Sequence, residues 1–502
     1  MNQDLTHIEN AKKVARSSGI LGLGEIPMQV LTLLSGIIVT RVLGAEIFGI
    51  YVAAATVIGI GALVGTMGLN QGVVRFIGIH RDSKARVTGI IRFALISTLL
   101  FGSLVAVILV LCAPLLETYV FRIPGVGRII AMLSITVPLI SVFTVVTSCI
   151  QAFEEITYVT LLQKVMQPSI RLLFLLGLFL AGSRLSALVM RDIFAGMLLV
   201  VIAFYYLNRT FPSLREKQKA DYSLKSEMFS FTMPLFLAEL IHVIMLRIDI
   251  LMISAFLGAS DVGVYGIVLR ISNLLMVPLM SLDAIIYPMM ASAFGQKTKG
   301  DIERLYKLSS HWAMMIMTPI VVIALVFTRD ILAFFGPEFV TGATALRLVA
   351  IGVTFRIVAG SVAGVLLMGG HSKLIFYNSL GALVFNIVAN YYLVPRYGIA
   401  GAAFATGFVM TLWGVIMVVE VFVIYRFVFW TKSTFNVLLA GGSVMAAFLI
   451  VPVPGHFVLR LAVGTLAATI LSFGVMVLFR CLSDQDWEII RKTRAKLKLP
   501  IF

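Results

Sequence analysis

The chain has 502 residues, of which 60% are hydrophobic and only 13% are charged, and its formal net charge is +16. Soluble domains are about a quarter charged and at most about half apolar, so this composition excludes a soluble globular protein and indicates a polytopic membrane protein. The excess of basic over acidic residues does not indicate nucleic-acid binding, because no soluble domain is expected that could carry a basic face. Three well-separated cysteines (Cys112, Cys149 and Cys481) form no metal or redox spacing, and we expect no metal and no cofactor.

The apolar runs predict the membrane spans. The first run follows a polar N-terminal segment and is long enough to span, so we expect no cleaved signal peptide. A spanning helix needs about 20 apolar residues, and on that rule the chain is predicted to be an all-α membrane protein with about fourteen spans. The predicted spans are 20–40, 47–72, 88–113, 128–151, 157–181, 186–208, 227–256, 262–294, 309–328, 339–368, 374–394, 399–427, 433–452 and 457–480.

The basic residues predict the orientation. If the N-terminus is cytoplasmic, Lys and Arg lie on inner segments roughly three times as often as on outer ones, as the positive-inside rule requires. A helix missed midway would have reversed this bias in the second half of the chain. We therefore predict a multi-pass protein of the plasma membrane with both termini in the cytoplasm.

A short motif occurs twice, as LGAEIFGIY at 43–51 and as LGASDVGVY at 257–265. A basic segment follows the next helix in both cases, HRDSKAR at 80–86 and QKTKGDIER at 296–304. These matching flanks predict two related halves of about six helices each, arranged as parallel repeats, with two helices added at the end. The predicted domains are an N-lobe at 1–208, a cytoplasmic linker at 209–226, a C-lobe at 227–430, the added helices at 431–480 and a basic cytoplasmic tail at 481–502.

The motif has the composition of an outer turn between two helices. Glycine ends the first helix, a polar residue begins the second, and the final tyrosine is expected at the level of the lipid headgroups. We therefore predict a structural role for the motif. The helix after its first copy has small residues at regular spacing, which predicts a close-packed face; these residues are Gly61, Gly65, Gly68 and Gly72.

Ionisable side chains inside a membrane are energetically costly and are therefore candidates for function. In the seventh span, Glu239, His242 and Asp249 fall within an arc of roughly 80°, and Arg247 lies about 80° to the other side of Glu239. If this stripe faces a cavity, the acids and His242 bind a coupling ion and Arg247 attracts an anionic headgroup. In the alternative, Arg247 and Asp249 are interfacial and snorkel towards water.

Residues of the eighth and tenth spans are candidates for binding an anionic substrate. Arg270 and Asn273 share one face of the eighth span, and Asp283, a candidate for ion coupling, follows between two prolines. A planar guanidinium binds two phosphate oxygens at once, so Arg270 is expected to contact the substrate unless it pairs internally with Asp249 or Asp283. Arg356 is the better candidate of the two arginines in the tenth span.

The first span carries a polar stripe, because three later residues lie within about 40° of Glu25; these are Gln29, Thr32 and Gly36. A polar stripe avoids lipid, which leaves two interpretations. Either it lines the cavity, with Gln29 contacting substrate and Glu25 binding the coupling ion, or it joins neighbouring helices.

Two long stretches and the basic tail resemble a known family. The stretches are TRVLGAEIFGIYVAAATVIGIGALVGTMGLNQGVVRF at 40–76 and LLMGGHSKLIFYNSLGALVFNIVANYYLVPRYGIAGAAFAT at 366–406. They look like the polysaccharide-unit flippases of the multidrug/oligosaccharidyl-lipid/polysaccharide exporter superfamily. The resemblance implies two lobes in a V around a central cavity, and alternating access that moves a lipid-linked sugar from the cytoplasmic to the outer leaflet.

The chain departs from one branch of that superfamily. The lipid II flippases place arginines of their anion site in the first two helices, where this chain offers Glu25 and, at the inner end, only Arg75. This departure argues against lipid II as the substrate, although not against another anionic lipid carrier.

Three classes of function follow from these residues. The leading hypothesis is a flippase for a lipid-(pyro)phosphate-linked oligosaccharide in cell-surface glycan assembly, with the phosphate held by Arg270, Arg356 and Arg247. The alternative is a cation-coupled multidrug antiporter that uses Glu25, Glu239 and Asp249 as binding acids. A membrane enzyme is disfavoured, because the loops are short and hold too few acids or histidines for a catalytic site.

The flippase hypothesis defines the expected partners. They are a lipid-linked oligosaccharide, the surrounding membrane lipids, and H+ or Na+ as the coupling ion. We expect a monomer that is able to associate with glycan-assembly proteins.

Overall fold

A computed structural model describes residues 2–180, 182, 185–215, 220–296, 298–451, 454–479 and 481. Every regular element within these residues is helical, which confirms the predicted all-α fold class. The predicted tail helix lies outside the described residues, apart from Cys481.

Long helices make up the chain. In order, they are α1 (Asn2–Thr66), α2 (Leu69–Ile79), α3 (Lys84–Leu115), α4 (Val126–Leu133), α5 (Thr136–Ala152), α6 (Ile156–Thr160), α7 (Gln167–Leu180), α8 (Leu185–Thr210), α9 (Lys225–Phe256), α10 (Ala259–Gly295), α11 (Lys299–Val326), α12 (Thr328–Ala333), α13 (Ala343–Val358), α14 (Val362–Met368), α15 (Ser372–Tyr425), α16 (Lys432–Ile450) and α17 (Phe457–Leu478). Nine of the described helices are long and apolar enough to cross a membrane, and the bent pair α4–α5 would make a tenth. The protein is thus a multi-pass membrane protein, and the larger span count stays a prediction.

Two of the longest helices are each broken at a glycine. Gly44 in α1 has φ +75°, and Gly398 in α15 has φ +59°. Positive φ is a conformation that glycine adopts readily and other residues rarely do, so each glycine ends one helix where the next begins. Gly44 belongs to the first copy of the motif, and its conformation confirms that glycine ends the first helix there.

The first of two compact units contains Met1–Arg270 and Ser379–Ala405. Its centre is α5, which packs against α1, α2, α3 and α8, and α1 also packs against α4 and α9. Fully buried aliphatic side chains such as Leu69, Ile91 and Ile150 form its core.

The second compact unit contains Ile271–Asn378 and Thr406–Phe502. In this unit α11 packs against α13, α16 and α17. Its core surrounds the fully buried Tyr306, together with Met417 and Val421. The lobes predicted from the repeat stay a prediction, because these units are defined by contacts and not by the repeat.

The glycines after the first motif copy pack closely, as predicted. A Cβ atom on Gly65 would lie 2.6 Å from the Ser141 Oγ atom and 3.0 Å from the Gly102 Cα atom. Gly72 faces Thr232 at a similarly short distance. Gly68 differs, because its φ of +73° also places it at the turn between α1 and α2. Small residues let membrane helices approach closely and gain van der Waals contact.

Part of the linker predicted at 209–226 is tied to the start of α3. The Asp221 backbone N–H donates a hydrogen bond to the Ala85 carbonyl at 3.1 Å, and its carboxylate lies 3.4 Å from the Arg86 guanidinium. Hydrogen bonds from Ser223 lower the pKa of the Asp221 carboxyl, and the bond from the Ser223 backbone N–H has the largest effect. The Arg86 guanidinium lowers this pKa further. The linker is therefore held by polar contacts at the end of the helix bundle.

The close packing predicts the effect of a larger side chain. Gly65→Val should destabilise the protein, because overpacking a tight contact costs about 1–3 kcal/mol. The measurement is the thermal melting temperature of the purified protein in detergent, which should fall by several degrees. Gly59→Val is the matched control in the same helix, since a Cβ atom there meets nothing within 4 Å. Equal melting temperatures for the two variants would contradict the assignment.

Candidate functional site

Arg270 is the central basic residue of the first unit. It lies on α10 and is partly buried, its Nη1 atom is 3.5 Å from the Thr32 carbonyl oxygen, and its guanidinium carbon is 5.8 Å from the centre of the Phe48 ring. No carboxylate in the described part of the chain lies within ion-pair distance of it, so the alternative of an internal pair with Asp249 is wrong. The planar donors of Arg270 are held only weakly and remain able to bind an anion.

Further positive charge surrounds Arg270. Arg191 and Arg247 lie close enough for their charges to repel its guanidinium. Arg191 is balanced by Asp192, 2.9 Å away, whereas Arg247 is exposed on α9 and has no ion-pair partner among the described residues. Two guanidinium groups on neighbouring helices therefore lack a negative partner, which makes this region suited to an anion.

The acids of this unit are bonded to other side chains. Glu25 on α1 forms an ion pair with Lys164, and Glu239 on α9 accepts a hydrogen bond from the Gln71 Nε2 atom at 3.0 Å. Gln29 lies one turn from Glu25 and is partly buried. The polar stripe of α1 thus joins helices in part, which is the second of the two interpretations.

Asp249 is turned into the protein, so the alternative in which it is interfacial and snorkels towards water is wrong for this residue. Its side chain is 3% exposed, and it accepts hydrogen bonds from the Tyr265 hydroxyl at 3.0 Å and from the Asn390 amide at 2.9 Å. The Asn390 amide also bonds Asn386, while the Asn390 Oδ1 atom is buried and has no hydrogen-bond partner in the described structure. A carboxylate beside amide oxygens is the ligand set that a hard cation takes, and the same carboxylate is able to take a proton.

The predicted stripe of the seventh span is therefore divided. Asp249 is buried, whereas His242 and Arg247 are exposed and Glu239 is partly buried. Groups of three or more His, Cys, Asp or Glu side chains that could hold a metal do not occur in the part of the chain that the structure describes.

A buried polar network that the sequence analysis missed lies between α1 and α8. The Tyr51 hydroxyl donates a hydrogen bond to Asp192 at 2.6 Å and accepts one from Arg191 at 2.7 Å, and Arg171 lies 3.7 Å from Asp192. The adjacent opposite charges of Arg191 and Asp192, inside an apolar run, were the available signal. Arg191 is a buried residue of α8.

The tyrosines that end the two motif copies each donate a hydrogen bond to an aspartate. Tyr51 bonds Asp192, and Tyr265, which is fully buried, bonds Asp249. The expectation that these rings lie among lipid headgroups is therefore wrong for Tyr265, which tethers its helix to a carboxylate inside the protein.

The remaining predicted residues lie in the second unit. Asn273 is exposed on α10. The Arg356 Nη1 atom donates to the Gly360 carbonyl at 3.2 Å, and its guanidinium carbon is 5.9 Å from the Trp413 ring. Asp283 accepts hydrogen bonds from Ser361 and, at 3.3 Å, from Tyr287, and it is close enough to Arg356 to interact with its charge. The positive charge of Arg356 is thus partly balanced by Asp283 within the second unit.

The fold is that of known membrane transporters. A structure of the lipid II flippase MurJ in an inward closed conformation matches with a TM-score of 0.71 and 13% identity, over 92% of this chain and 97% of that one. A multidrug resistance MATE family transporter of the MOP superfamily, in an inward-facing conformation, matches with a TM-score of 0.62 and 15% identity, over 86% of this chain and 99% of that one. At these identities the likeness shows the fold alone.

Sequence similarity gives the family. The chain is 23% identical over 370 residues to the "Putative O-antigen transporter" of Shigella flexneri, which covers 72% of this chain and 87% of that protein. It is 22% identical over 361 residues to an uncharacterized membrane protein of Methanocaldococcus jannaschii. That alignment covers 68% of this chain and 70% of that protein. The MatE family model matches residues 234–392, and the model described as polysaccharide biosynthesis protein matches residues 14–294. The chain belongs to this polysaccharide biosynthesis protein family.

The missed network leads to a prediction about stability. Tyr51→Phe should destabilise the protein by about 1–3 kcal/mol, because it removes a donor from the partly buried Asp192 carboxylate and an acceptor from the buried Arg191. Thermal unfolding of the purified protein measures the change. Tyr119→Phe is the matched control, since Tyr119 is 74% exposed. A Tyr51→Phe melting temperature equal to that of wild type would show that the network contributes nothing to stability.

Proposed function

We propose that the protein is a flippase that moves a lipid-(pyro)phosphate-linked oligosaccharide from the cytoplasmic to the outer leaflet by alternating access. The relative from Shigella flexneri, named "Putative O-antigen transporter", and membership of the polysaccharide biosynthesis protein family support this class of substrate. Because the reaction is a translocation, it needs binding and release but no covalent step. The proposed setting is the plasma membrane, with both termini in the cytoplasm, in assembly of a surface polysaccharide.

The observation that carries the proposal is the pair of unbalanced guanidinium groups, Arg270 and Arg247, on neighbouring helices of the first unit. Removing a charge from water is costly unless it is paired, so such groups are retained inside a membrane for a partner that arrives from outside. A pyrophosphate offers two negative groups and several acceptor oxygens, which match two guanidinium forks. Gln29, Asn273 and Arg356 are the further residues that we propose for substrate contact.

The multidrug alternative requires free acids, and the three acids that it would use are engaged. Glu25 is ion-paired with Lys164, Glu239 accepts from Gln71, and Asp249 is buried. An organic cation would have to displace these partners and approach unbalanced arginines. The geometry therefore favours an anionic substrate.

We also propose that Asp249 binds the coupling cation, H+ or Na+. The support is its burial, its contact with Asn390, and the unsatisfied Asn390 Oδ1 atom beside it. Binding there would shift the population between inward-open and outward-open states if the cation prefers one of them. Glu25, Glu239, His242 and Asp283 remain secondary proposals for coupling, because Glu25, Glu239 and Asp283 are bonded to other side chains and His242 is exposed.

The first functional prediction concerns Arg270. Arg270→Ala should abolish delivery of the glycan to the cell surface, because it removes the planar donors, and Arg270→Lys should restore only part of it. The measurement is surface polysaccharide and intracellular lipid-linked glycan in a deletion strain that expresses each variant. Membrane levels of the variants should be normal, and Arg396→Ala, at an exposed site bonded within its own helix, is the control. Wild-type delivery by Arg270→Ala would remove this residue from the site, and drug resistance conferred without glycan delivery would favour the antiporter.

The second functional prediction concerns Asp249. If Na+ binds there, it should raise the melting temperature of the purified protein relative to K+ at equal ionic strength, because a ligand that binds the folded state stabilises it. Asp249→Asn should lose this difference, whereas Glu420→Gln, at a carboxylate bonded to Asn378, should keep it. Equal melting temperatures of the wild type in the two salts would exclude Na+ and leave the proton as the coupling ion.

A further inference from the structure

The two copies of the repeated motif pack directly against each other. A Cβ atom on Gly49 would clash with the Ala259 carbonyl and lie 2.8 Å from the Gly263 backbone nitrogen. A Cβ atom on Gly263 would clash with the Ala45 carbonyl and lie 3.1 Å from the Gly49 backbone nitrogen. Gly49 and Gly263 hold the same position in the motif, as do Ala45 and Ala259, so the contact is reciprocal.

Each copy presents a small-residue face to the other. Alanine and glycine are four residues apart in AEIFG (45–49) and in ASDVG (259–263), which is the spacing that brings helix backbones together in membranes. The contact continues inwards, since a Cβ atom on Gly266 would lie 3.2 Å from the Val52 Cγ1 atom. The sequence of the motif is therefore explained by contact between its copies, beyond the turn that each copy makes.

The opposite side of each copy is tied to its own half of the chain. The Tyr51 hydroxyl bonds Asp192 on α8, which precedes the linker, and the Tyr265 hydroxyl bonds Asp249 on α9, which follows it. Each motif helix is thus anchored to its own half by a side-chain hydrogen bond, and at the motif the two copies meet through backbone and small residues, with Val52 and Phe48 beside Gly266. Such an arrangement allows the halves to part at the small-residue contact while each half stays intact.

We propose that the two motif copies form an interlock (Ala45–Val52 with Ala259–Gly266) that closes the outer side and has to separate in every transport cycle. The proposal rests on the proposed alternating access and on the predicted orientation, which places both copies at the outer ends of their helices. Tyr265 links the interlock to the proposed cation site, because it lies in the same turn of α10 as Gly263 and its hydroxyl bonds Asp249 on α9. Arg270 lies about 10 Å further along the same helix, so the interlock stands between the anion site and the outer side.

The first test is a reversible cross-link. In a background with Cys112, Cys149 and Cys481 replaced by alanine, Val52→Cys and Gly266→Cys are combined, since a Cβ atom on Gly266 would lie 3.2 Å from the Val52 Cγ1 atom. Oxidation should reduce glycan delivery to the level of the empty vector, and a reductant should restore it. Each single variant should be insensitive to the oxidant. Full delivery by the cross-linked protein would overturn the proposal.

The second test does not depend on the substrate. Val52→Cys is labelled from outside the cell with a membrane-impermeant maleimide, alone or together with Gly49→Leu as a wedge. The wedge should raise the labelling rate by about tenfold or more, because overpacking disfavours the closed contact. Gly59→Leu is the control on the same helix, since a Cβ atom there meets nothing. An unchanged rate with the wedge would overturn the interlock.

The two tests separate the interlock from the transported molecule. If the parent protein delivers no glycan but the wedge raises labelling, the proposed substrate is wrong and the interlock stands. If Gly49→Leu fails to fold, as judged by its melting temperature, Gly263→Ala replaces it with the same expected direction. An unchanged labelling rate with a folded Gly263→Ala would count against the proposal in the same way.

Discussion

Charge inside a membrane has to be balanced, and this requirement organises the first unit. The bilayer offers no water to solvate an ion, so an unpaired charged side chain at that depth is costly. The chain meets this constraint with an ion pair between Glu25 and Lys164, and with the buried network of Tyr51, Arg191 and Asp192. Against this background, arginines without a partner in the described structure stand out as places for an external anion.

Close backbone packing is the second constraint. Helices in lipid gain little from the hydrophobic effect and depend on van der Waals contact, which is strongest where glycine lets backbones approach. Gly65 packs closely against Gly102 within the first half of the chain. Gly49 packs against Gly263, which holds the equivalent position in the second motif copy. A contact of this kind is intimate but contains little polar bonding, so it suits a surface that forms and separates.

The same fold serves different transported molecules, so the fold does not decide the substrate. Both a lipid II flippase and a multidrug resistance transporter share this architecture. What distinguishes the chain is the sign of its unbalanced charges, which is positive at Arg270 and Arg247. The acids proposed for cation binding, by contrast, are engaged: Glu25 is ion-paired, Glu239 accepts a hydrogen bond, and Asp249 is buried beside Asn390. The proposed division between an anion site at the arginines and a cation site at Asp249 is what a coupled flippase needs.

The sequence by itself determined the membrane class, the repeat, the family resemblance and most of the candidate charges, because these depend on composition, local apolar length and helical spacing. It also indicated the glycine that ends the first helix of the motif, which is a local property of the backbone. Tertiary structure alone decided which charges are balanced. Helical angles place Glu239 and Asp249 near one face, but only packing against Asn390 and Tyr265 buries Asp249. Tyr51 meets a residue of α8, and Gly49 meets Gly263, across separations in sequence that no periodic pattern reports. Such pairs depend on how the helices are assembled, and a single sequence carries no local signal for that.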